Sequence, residues 1–569
     1  MTRPKAEPYD NEIPIGKRRP YYRFWELMPA IMSYGMIAIL FVLSFISPIL
    51  GAVYILLIAS TFLTRAIVIA RDIIRGHNAL MRAHRVDWDS RLDDLEHADK
   101  SINRLTDHPS AAYQSDLHLE NLRFMAESPE FFPKPSETYN VAIIATYNEE
   151  FEILDATFNS IIQTTYDKKH LLIVIAYEER GGAAIEATVN KISAKYKRHF
   201  YDLLLIKHPD GLPNEVVGKG GNLTYAGRHL SKYVAKQGWK TENIIVTTLD
   251  ADNRPEPNYF SHLTYEFIVR DYRHHCSFQP ITLFTNNIWD APAPTRVLAL
   301  GNSFWSIVNS IRSHMIRNFA SHAQPLSALE AMDFWSVRTI VEDGHQYWRS
   351  YFYFKGDYIV VPLHATVGQD AVLSHSFLRT LYAQFKQLRR WAYGVSDTPF
   401  VATRLFTTKK HRRAPFFKTL AKFWRAMDGY INWASASVLV ALGGFIPLWV
   451  NQQARVSFEA QTLPNVLSII QTVALAGLAV TIILSVKMLP KMPSHYHKFR
   501  YFFMVIQWAL VPITAMTYMT LSAFYAQTRL FFGRYMEQFD VTEKAFVKPP
   551  RPPKPAKPNP IKPKPAATK

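Results

Sequence analysis

Apolar stretches long enough to cross a bilayer lie near both ends of this chain of 569 residues. Residues 27–46 carry no charged side chain, and a second apolar run, residues 49–64, follows Ser47 and Pro48. Because about 20 apolar residues in a helix cross the hydrocarbon core, the two runs predict a membrane hairpin. Three further apolar runs predict three more spans: residues 430–450, 466–486 and 502–521.

Positive charge is distributed unevenly along the chain. Lys and Arg number 65 against 47 Asp and Glu, which gives a formal net charge of +18. Basic residues crowd at 409–425 and 487–500, whereas the loop at 451–465 has only Arg455. Since cytoplasmic loops are enriched in Lys and Arg, we expect a multi-pass inner-membrane protein whose central domain is cytoplasmic.

The C-terminal end presents a conflict. Three spans after a cytoplasmic domain would place the C-terminus outside, although residues 548–569 are rich in Lys and Pro and are expected to be extended and disordered. Either the last apolar stretch is re-entrant or lies in the interface, or the tail is outside. The single cysteine, Cys276, excludes an internal disulfide and fits a reducing compartment.

Between about residues 138 and 400, short apolar strands alternate with helical stretches. The strands are Val141–Ala145, Leu171–Ala176, Tyr201–Ile206 and Ile244–Leu249. This alternation predicts an α/β domain with a doubly wound, mostly parallel sheet. The predicted domains are a basic cytoplasmic N-terminus (1–26), a transmembrane hairpin (27–70), a linker of exposed helices (71–137), the α/β domain (138–400), interfacial basic helices (401–429), three transmembrane segments (430–525) and a disordered tail (526–569).

Two carboxylates, Asp250 and Asp252, follow the fourth strand with one residue between them. In open α/β sheets, ligands bind beyond the carboxyl ends of the strands. Two carboxylates there repel each other unless a cation lies between them, and Mg²⁺ or Mn²⁺ suits oxygen ligands. The alternative is an Asp-rich turn or helix cap without a ligand.

Polar turns also follow the first two strands. Thr146, Tyr147 and Glu149 end the first strand, where a nucleotide base would bind; the spacing of Thr146 and Glu149 equally fits a helix capping box. Glu178 and Glu179 end the second strand, where a carboxylate could bind a base or ribose. The alternative for that pair is surface ion pairing.

Three later motifs carry further candidate residues. Glycines flank Lys219, so backbone N–H groups and an ammonium could bind a phosphate there. Asp343, in Val-Glu-Asp, could act as a general base, with Asp370 as a rival. Gln387, Arg390 and Trp391 share one helix face, which could bind a phosphate and stack on a sugar; an interfacial basic helix is the alternative.

The order of these motifs resembles the processive membrane glycosyltransferases of glycosyltransferase family 2, which include cellulose, hyaluronan and chitin synthases. The resemblance covers roughly residues 138–400 and the flanking spans, and the Gln-x-x-Arg-Trp motif at 387–391 is its most specific part. It implies a GT-A-like fold and an inverting transfer of sugar from a nucleoside diphosphate sugar, with UDP-sugar expected, to a growing polysaccharide that could be exported.

The resemblance also implies a role for each motif. It places Thr146, Tyr147, Glu149 and Glu178 at the nucleotide, Lys219 at the diphosphate, Asp250 and Asp252 at the metal and diphosphate, Asp343 as catalytic base, and Gln387, Arg390 and Trp391 at the diphosphate and acceptor sugar. Spacing favours Asp343 over Asp370. Glu-Glu replaces the family's usual aspartate after the second strand, and residues 318–332 lack its Phe-Phe-Cys-Gly-Ser run.

Two other functions stay open from the sequence. The same chemistry could move one sugar to a polyprenyl phosphate lipid, so the acceptor is either a glycan or a lipid. A non-catalytic membrane transport or scaffolding subunit would not need both the Asp-x-Asp and the Gln-x-x-Arg-Trp motifs. Nucleic-acid binding would explain the positive charge but none of the motifs, so we expect no nucleic-acid partner.

Overall fold

The computed structural model describes residues 11–408 and 412–539 and the single residue Lys544. Residues 1–10, 409–411, 540–543 and 545–569 lie outside the described residues. The expectations for the start of the basic N-terminus, for Lys409 and Lys410, and for the disordered tail therefore stay predictions.

The strands of the described residues form one eight-stranded sheet in the order β3-β2-β1-β4-β7-β6-β8-β5. The strands are β1 Tyr139–Thr146, β2 Leu171–Glu178, β3 Asp202–His208, β4 Ile244–Asp250, β5 Arg254–Pro255, β6 Cys276–Leu283, β7 Ala323–Pro325 and β8 Ile359–Gly368. The first four run parallel, whereas β7 pairs antiparallel with β4. The predicted α/β class and mostly parallel sheet are confirmed.

The parallel register brings the candidate residues to one edge of the sheet. Ala145 pairs with Asp250 across β1 and β4, Thr146 pairs with Tyr177, and Glu178 pairs with His208. Since these pairs stand at the carboxyl ends of their strands, the polar turns that follow them share one crevice.

Helices cover both faces of the sheet and extend from it. The α-helices of the described residues are α1 Pro20–Ile46, α2 Pro48–Ala83, α3 Trp88–Glu96, α4 Ala98–Asp107, α5 Ser115–Glu127, α6 Phe151–Ile162, α7 Gly182–Tyr196, α8 Lys219–Gln237, α9 Tyr259–Ile268, α10 Ala293–Ser310, α11 Leu326–Ala331, α12 Glu342–Tyr353, α13 Phe377–Ala392, α14 Asp397–Leu405, α15 Phe416–Leu442, α16 Ile446–Val450, α17 Phe458–Met488, α18 Arg500–Ile506, α19 Val511–Thr514 and α20 Leu521–Phe531.

Two apolar layers hold this arrangement together. Side chains of α6, α7 and α9 pack on one face of the sheet, Phe158 among them. Side chains of α8 and α11 pack on the other face, including Leu223 and Leu326. Helices α3, α4 and α5 lie within residues 71–137. Trp88 of α3 is buried in the first layer and stacks on His262 with ring centroids 3.6 Å apart.

Four helical stretches of the described residues are long and apolar enough to cross a membrane: Pro20–Ile46, Pro48–Ala83, Phe458–Met488 and Arg500–Phe531. The apolar stretch 430–450 is divided instead, because α15 ends at Leu442 and α16 begins at Ile446. A Cβ on Gly443 would lie 2.4 Å from Ile55 Cδ1, and one on Gly444 would lie 2.8 Å from Leu467 Cδ1. The glycines therefore let α2 and α17 approach closely where the helix breaks.

The stretch Arg500–Phe531 contacts the α/β domain at several points along its length. Arg500 donates to the Trp289 carbonyl oxygen, and Gln507 Oε1 accepts a 2.6 Å hydrogen bond from Arg296 Nε. Near the other end, the Tyr525 ring lies 6.0 Å from that of Phe385 in α13. Both ends thus meet the same domain, which favours an interfacial helix over a span across the bilayer.

Candidate active site

Lys219 is the residue on which the candidate site converges. It is the first residue of α8, and its buried ammonium lies 2.9 Å from Asp250 Oδ1, 3.5 Å from Asp343 Oδ2 and 3.8 Å from Glu342 Oε1. Burial opposes the charged ammonium, but the three carboxylates outweigh it and raise the pKa of Lys219. One cation therefore joins the Asp-x-Asp turn to the Glu-Asp motif at the start of α12.

The glycines beside Lys219 are required by close packing. A Cβ on Gly220 would lie 2.2 Å from the Ser336 carbonyl oxygen and 3.2 Å from Glu342 Cβ. A Cβ on Gly221 would lie 2.6 Å from Glu215 Oε2. Because a Cβ at position 220 would clash with backbone, glycine there lets the start of α8 lie directly against the segment that leads into α12; at position 221 the flexible Glu215 side chain would have to move.

Asp250 and Asp252 are each paired with a lysine. Asp252 Oδ1 lies 2.8 Å from Lys544 Nζ, and Asp252 Oδ2 accepts a 3.2 Å hydrogen bond from the Asp370 backbone N–H. Burial opposes ionisation of Asp250, but the ammonium groups of Lys219 and Lys544 hold its pKa below the ordinary value. Two cations already compensate the carboxylates at the place where the sequence predicts a metal ion.

Asp370, the rival for the catalytic base, is instead the neighbour of Asp252. Burial and the Asp252 carboxylate raise the pKa of Asp370 to about 6, and its Oδ1 lies 3.7 Å from Arg254 Nη2. It follows β8, on the far side of the sheet order from β1. The structure therefore gives Asp370 a place beside the Asp-x-Asp turn, and the ion pairs of Lys219 do not include it.

Asp343 has one oxygen directed at Lys219 and another that has no hydrogen-bond partner among the described residues. That second oxygen, Oδ1, is buried and lies 3.7 Å from His322 Nδ1. The His322 Nδ1–H donates to the Phe319 carbonyl oxygen over 2.8 Å, and Nε2 accepts from Trp335 Nε1–H over 3.3 Å. Both ring nitrogens are thus engaged, and burial lowers the pKa of His322, so a neutral imidazole faces Asp343.

Glu342, the neighbour of Asp343, is a buried acid. Burial, followed by the Asp343 carboxylate, raises the pKa of Glu342 to about 8. Its Oε2 has no hydrogen-bond partner within the described ranges. Such a raised pKa keeps the Glu342 carboxyl group mostly protonated at neutral pH.

The turn after β1 is held by Glu149. Its Oε2 accepts hydrogen bonds from Thr146 Oγ1 over 2.7 Å, from the Tyr147 N–H over 2.8 Å and from the Asn148 N–H over 3.2 Å. Helix α6 begins only at Phe151, so Thr146 is not the cap of a helix. The capping-box alternative is wrong, and Glu149 instead closes the turn on which Tyr147 is presented.

The turn after β2 distinguishes the two adjacent glutamates. Glu178 is buried and paired with Arg180, and burial is the main cause that raises its pKa. The Arg180 guanidinium in turn lies 4.5 Å above the Tyr147 ring. Glu179 is half exposed and lies 3.9 Å from Lys207, so the surface ion-pair alternative describes Glu179 and not Glu178.

The Gln-x-x-Arg-Trp motif lies on α13, which begins after Ser376, a cap that accepts from the Arg379 N–H. Gln387 Oε1 accepts from Gln384 Nε2 over 3.1 Å. The Trp391 ring lies 5.9 Å from that of Phe284, which follows the end of β6. Positive charge from Arg390 also lowers the pKa of Asp250, so this end of α13 faces the Asp-x-Asp turn.

Sequence analysis missed the segment that follows α20. Gln538 pairs with Val217, and the Phe539 N–H donates to the Val217 carbonyl oxygen over 2.8 Å. The Phe539 ring lies 3.9 Å from the Arg390 guanidinium carbon, and Lys544 reaches Asp252. A lone lysine near a polar tail gives no periodic signal, so only the fold reveals this contact.

The protein itself supplies only part of the ligand set that a divalent cation needs. In the described part of the chain, no group of three or more His, Cys, Asp and Glu side chains is arranged to hold a metal ion. Mg²⁺ is usually held by one or two carboxylates together with substrate phosphates. Asp250 and Asp252 match that incomplete donor set, and the lysines on them show that the site stabilises positive charge.

Known proteins resemble this chain only distantly. No protein-family model matches the chain, and no curated protein matches it. Among solved structures, a mannosyltransferase from Pyrobaculum calidifontis with GDP-mannose and Mn²⁺ aligns with a TM-score of 0.39 and 13% identity over 73% of this chain and 95% of the other. S. aureus TarS 1–349 with UDP-GlcNAc aligns with a TM-score of 0.32 and 12% identity over 70% and 93%. Both scores are too low to support an argument about activity.

Proposed function

We propose that this protein is an inverting glycosyltransferase of the family 2 type that uses a nucleoside diphosphate sugar at the cytoplasmic face of a membrane. The observation that carries the proposal is the contact of Lys219 with both Asp250 and Asp343. Through this one lysine, the turn with Asp250, which suits a diphosphate and its cation, lies next to Asp343, the candidate base. Thr146, Tyr147, Glu149 and Glu178, at the ends of β1 and β2, would bind the nucleoside.

The reaction assigned to this geometry is a single displacement. An acceptor hydroxyl oxygen forms a bond to the anomeric carbon, its proton passes to Asp343, and the bond from that carbon to the diphosphate oxygen breaks. A Mg²⁺ or Mn²⁺ ion bound by Asp250 and Asp252 would neutralise charge on the departing nucleoside diphosphate. Lys219 and Arg390 supply further positive charge on the same side, where it stabilises the leaving group.

The acceptor site is assigned to Trp391 and Gln387 on α13. An indole ring provides an apolar platform on which a sugar can stack, and its surroundings include the Phe284 ring. Because α13 also contacts α20 through Phe385 and Tyr525, the acceptor would lie next to the membrane-proximal helices. We assign a growing polysaccharide as the acceptor, with export through the membrane helices as the expected route.

The proposed topology places residues 11–19 and 532–539 on the same side of the membrane as the catalytic domain. Helices α1, α2 and α17 and the divided helix α15–α16 would give four crossings, and Arg500–Phe531 would lie in the interface because both its ends contact the α/β domain. The pairing of Gln538 with Val217 then needs no further crossing. We propose on this basis a cytoplasmic tail, which agrees with the positive-inside rule.

The test is a screen of radiolabelled nucleotide sugars with the purified full chain in nanodiscs, followed by sizing of the product. A UDP-sugar should give a polymer. A single-sugar product on added polyprenyl phosphate would replace the polymerase assignment with lipid glycosylation. If no nucleotide sugar is consumed in the presence of Mg²⁺ or Mn²⁺, the protein is a non-catalytic membrane subunit and the proposal fails.

A further inference from the structure

Three cations on α15 lie close together near the place where this helix enters the apolar region. Lys422 Nζ donates to Tyr347 Oη over 2.7 Å, Lys418 Nζ donates to the Gly356 carbonyl oxygen over 2.9 Å, and Arg425 Nη1 lies 3.5 Å from the His314 carbonyl oxygen. We call these three side chains the α15 cation cluster. In each of these contacts the acceptor is an uncharged oxygen.

Carboxylates near this helix are already paired with other cations. Asp428 Oδ1 is 2.9 Å from Arg65, Asp72 Oδ2 is 2.6 Å from Arg312, and Asp397 Oδ1 is 2.7 Å from His345. Within residues 11–408 and 412–539, no ion pair joins a member of the α15 cation cluster to a carboxylate. The cluster therefore lacks an anionic partner in the described protein; the Tyr347 and Tyr351 rings, with centroids 5.4 and 5.5 Å from Lys422 Nζ, offer it only cation–π contacts.

The surroundings of Lys422 disfavour its positive charge. Burial, followed by the charges of Lys418, Arg425 and Arg317, lowers the pKa of Lys422 to about 8. A buried ammonium among like charges is stabilised by an anion that brings its own oxygen acceptors. Tyr347, which accepts from Lys422, belongs to α12, so the cluster is built into the α/β domain and is not a free surface run.

The position of the cluster along α15 matches the headgroup layer of a bilayer. Arg65 closes the second apolar run and pairs with Asp428, so this pair marks the edge of the hydrocarbon. Arg425 and Lys422 lie three and six residues further, or about 4.5 and 9 Å along a helix. Each polar layer of a bilayer is roughly 5–8 Å thick, which places Arg425 within that layer and Lys422 at its outer edge.

Aromatic side chains on the same helix point to a lipid surface. Trp424 is 50% exposed and Phe417 is 81% exposed. Tryptophan is enriched at membrane–water boundaries, and cations combined with exposed aromatic side chains are typical of helices that lie against anionic lipid. A soluble phosphate would explain the charge but not the exposed rings beside it.

We propose that Lys422 and Arg425 bind the phosphate of an anionic phospholipid in the cytoplasmic leaflet, while Lys418 adds positive charge further out along α15. Each Lys or Arg near an anionic surface contributes about fivefold in affinity. The proposal concerns lipid binding and does not depend on turnover, so its failure would leave the glycosyltransferase proposal intact.

The experiment measures selectivity between spin-labelled phosphatidylglycerol and spin-labelled phosphatidylcholine for the full chain in phosphatidylcholine membranes. The wild type should prefer phosphatidylglycerol, Lys422→Gln should lose about fivefold of that preference, and Lys422→Gln with Arg425→Gln should lose about 25-fold. Lys422→Arg, which keeps the charge, should retain most of it. Thermal unfolding of each variant shows whether it is folded before its selectivity is compared.

The matched control removes the same charge from the loop between α17 and α18, with Lys491→Gln and Lys498→Gln. Both lysines are exposed and lie in the basic stretch 487–500. If this control loses as much selectivity as the double variant in α15, the preference is a general surface-charge effect and the proposal is overturned. Displacement of phosphatidylglycerol by millimolar inorganic phosphate would also overturn it, because the site would then be one for soluble phosphate.

Discussion

Among single residues, Lys219 makes the most consequential contacts of the described chain. Its ammonium is buried, compensates Asp250 and Asp343, and also lies 3.8 Å from Glu342 Oε1. Removing one partner of a buried ion pair leaves uncompensated charge, which typically costs about 3–5 kcal/mol. Lys219 therefore has a structural role in addition to its proposed contact with the diphosphate.

Lys219→Gln should destabilise the protein by about 3–5 kcal/mol and abolish transfer. Thermal and denaturant unfolding of the purified full chain would measure the first effect. Lys236→Gln is the matched control, because Lys236 lies exposed in the last turn of the same helix. If Lys219→Gln unfolds like Lys236→Gln, the three carboxylates do not depend on the lysine and this account of the site is wrong.

A pH effect follows from Glu342. Since its pKa is raised from 4.5 to about 8 in the folded protein, the folded state binds a proton that the unfolded state has lost over that interval. Stability contributed by Glu342 is therefore complete below its unfolded pKa and is lost as the pH rises through the folded value. The melting temperature of the wild type should fall relative to that of Glu342→Gln between about pH 5 and 8. A constant difference across this range would contradict the buried, protonated state of Glu342.

The site residues that could be predicted from the sequence are the polar ones at the ends of strands. Asp250 and Glu178 stand out because each interrupts an apolar run, and the register then brings them to one edge. His322 gave no such signal, since a histidine between Ser321 and Ala323 is as typical of a satisfied core residue. Its contact with Asp343 depends on the antiparallel strand β7, which begins at the next residue.

At the scale of elements, β1 to β4 were predictable and β5 to β8 were not. Buried parallel strands read as continuous β-branched and aliphatic runs, as Ile244 to Leu249 does. By contrast, β5 has two residues and β7 has three, too few for a periodic pattern. Strand β8 is long, but Pro362 and His364 interrupt its apolar pattern, and a proline argues against a central strand.

The segment after α20 is expected to affect metal binding. Lys544 occupies Asp252 Oδ1, so a divalent ion must compete with an ammonium for that oxygen. Because a hydrogen bond to a charged group contributes about 1.5–3 kcal/mol, Lys544→Gln should tighten Mn²⁺ binding by about tenfold or more. Calorimetric titration of the full chain without nucleotide would measure this change.

Lys498→Gln provides the control for Lys544→Gln, since it removes an exposed lysine of the loop before α18. It should leave Mn²⁺ affinity unchanged. Weaker Mn²⁺ binding by Lys544→Gln would show that the lysine does not compete with the ion, and the placement of the metal on Asp252 would then be rejected.

For the whole molecule, the central question is on which side of the membrane each segment lies. Composition alone predicted five spans because it cannot distinguish an apolar helix that crosses a bilayer from one that lies along it. Contacts favour the second case for Arg500–Phe531, since Gln507 and Tyr525 both meet the α/β domain. The pairing of Gln538 with Val217 places Glu537 near the candidate active site.

Single cysteines in a Cys276→Ser background test this topology with a membrane-impermeant maleimide on intact cells. Gln453→Cys, in the loop between α16 and α17, should be labelled from outside. Lys232→Cys on α8 and Glu537→Cys after α20 should react only after permeabilisation. All three side chains are exposed at these positions. Labelling of Glu537→Cys in intact cells would show that Arg500–Phe531 crosses the membrane and that the proposed topology is wrong.

The central claim, that Asp343 is the base of a nucleotide-sugar transferase, is tested most directly by the transfer rate and substrate affinity of Asp343→Asn. The control is Asp357→Asn, an exposed carboxylate that lies near His275. With the sugar nucleotide identified by the screen, Asp343→Asn should bind it as the wild type does but transfer the sugar about 10²–10⁴-fold more slowly, whereas Asp357→Asn should match the wild type. Normal transfer by Asp343→Asn would contradict the account.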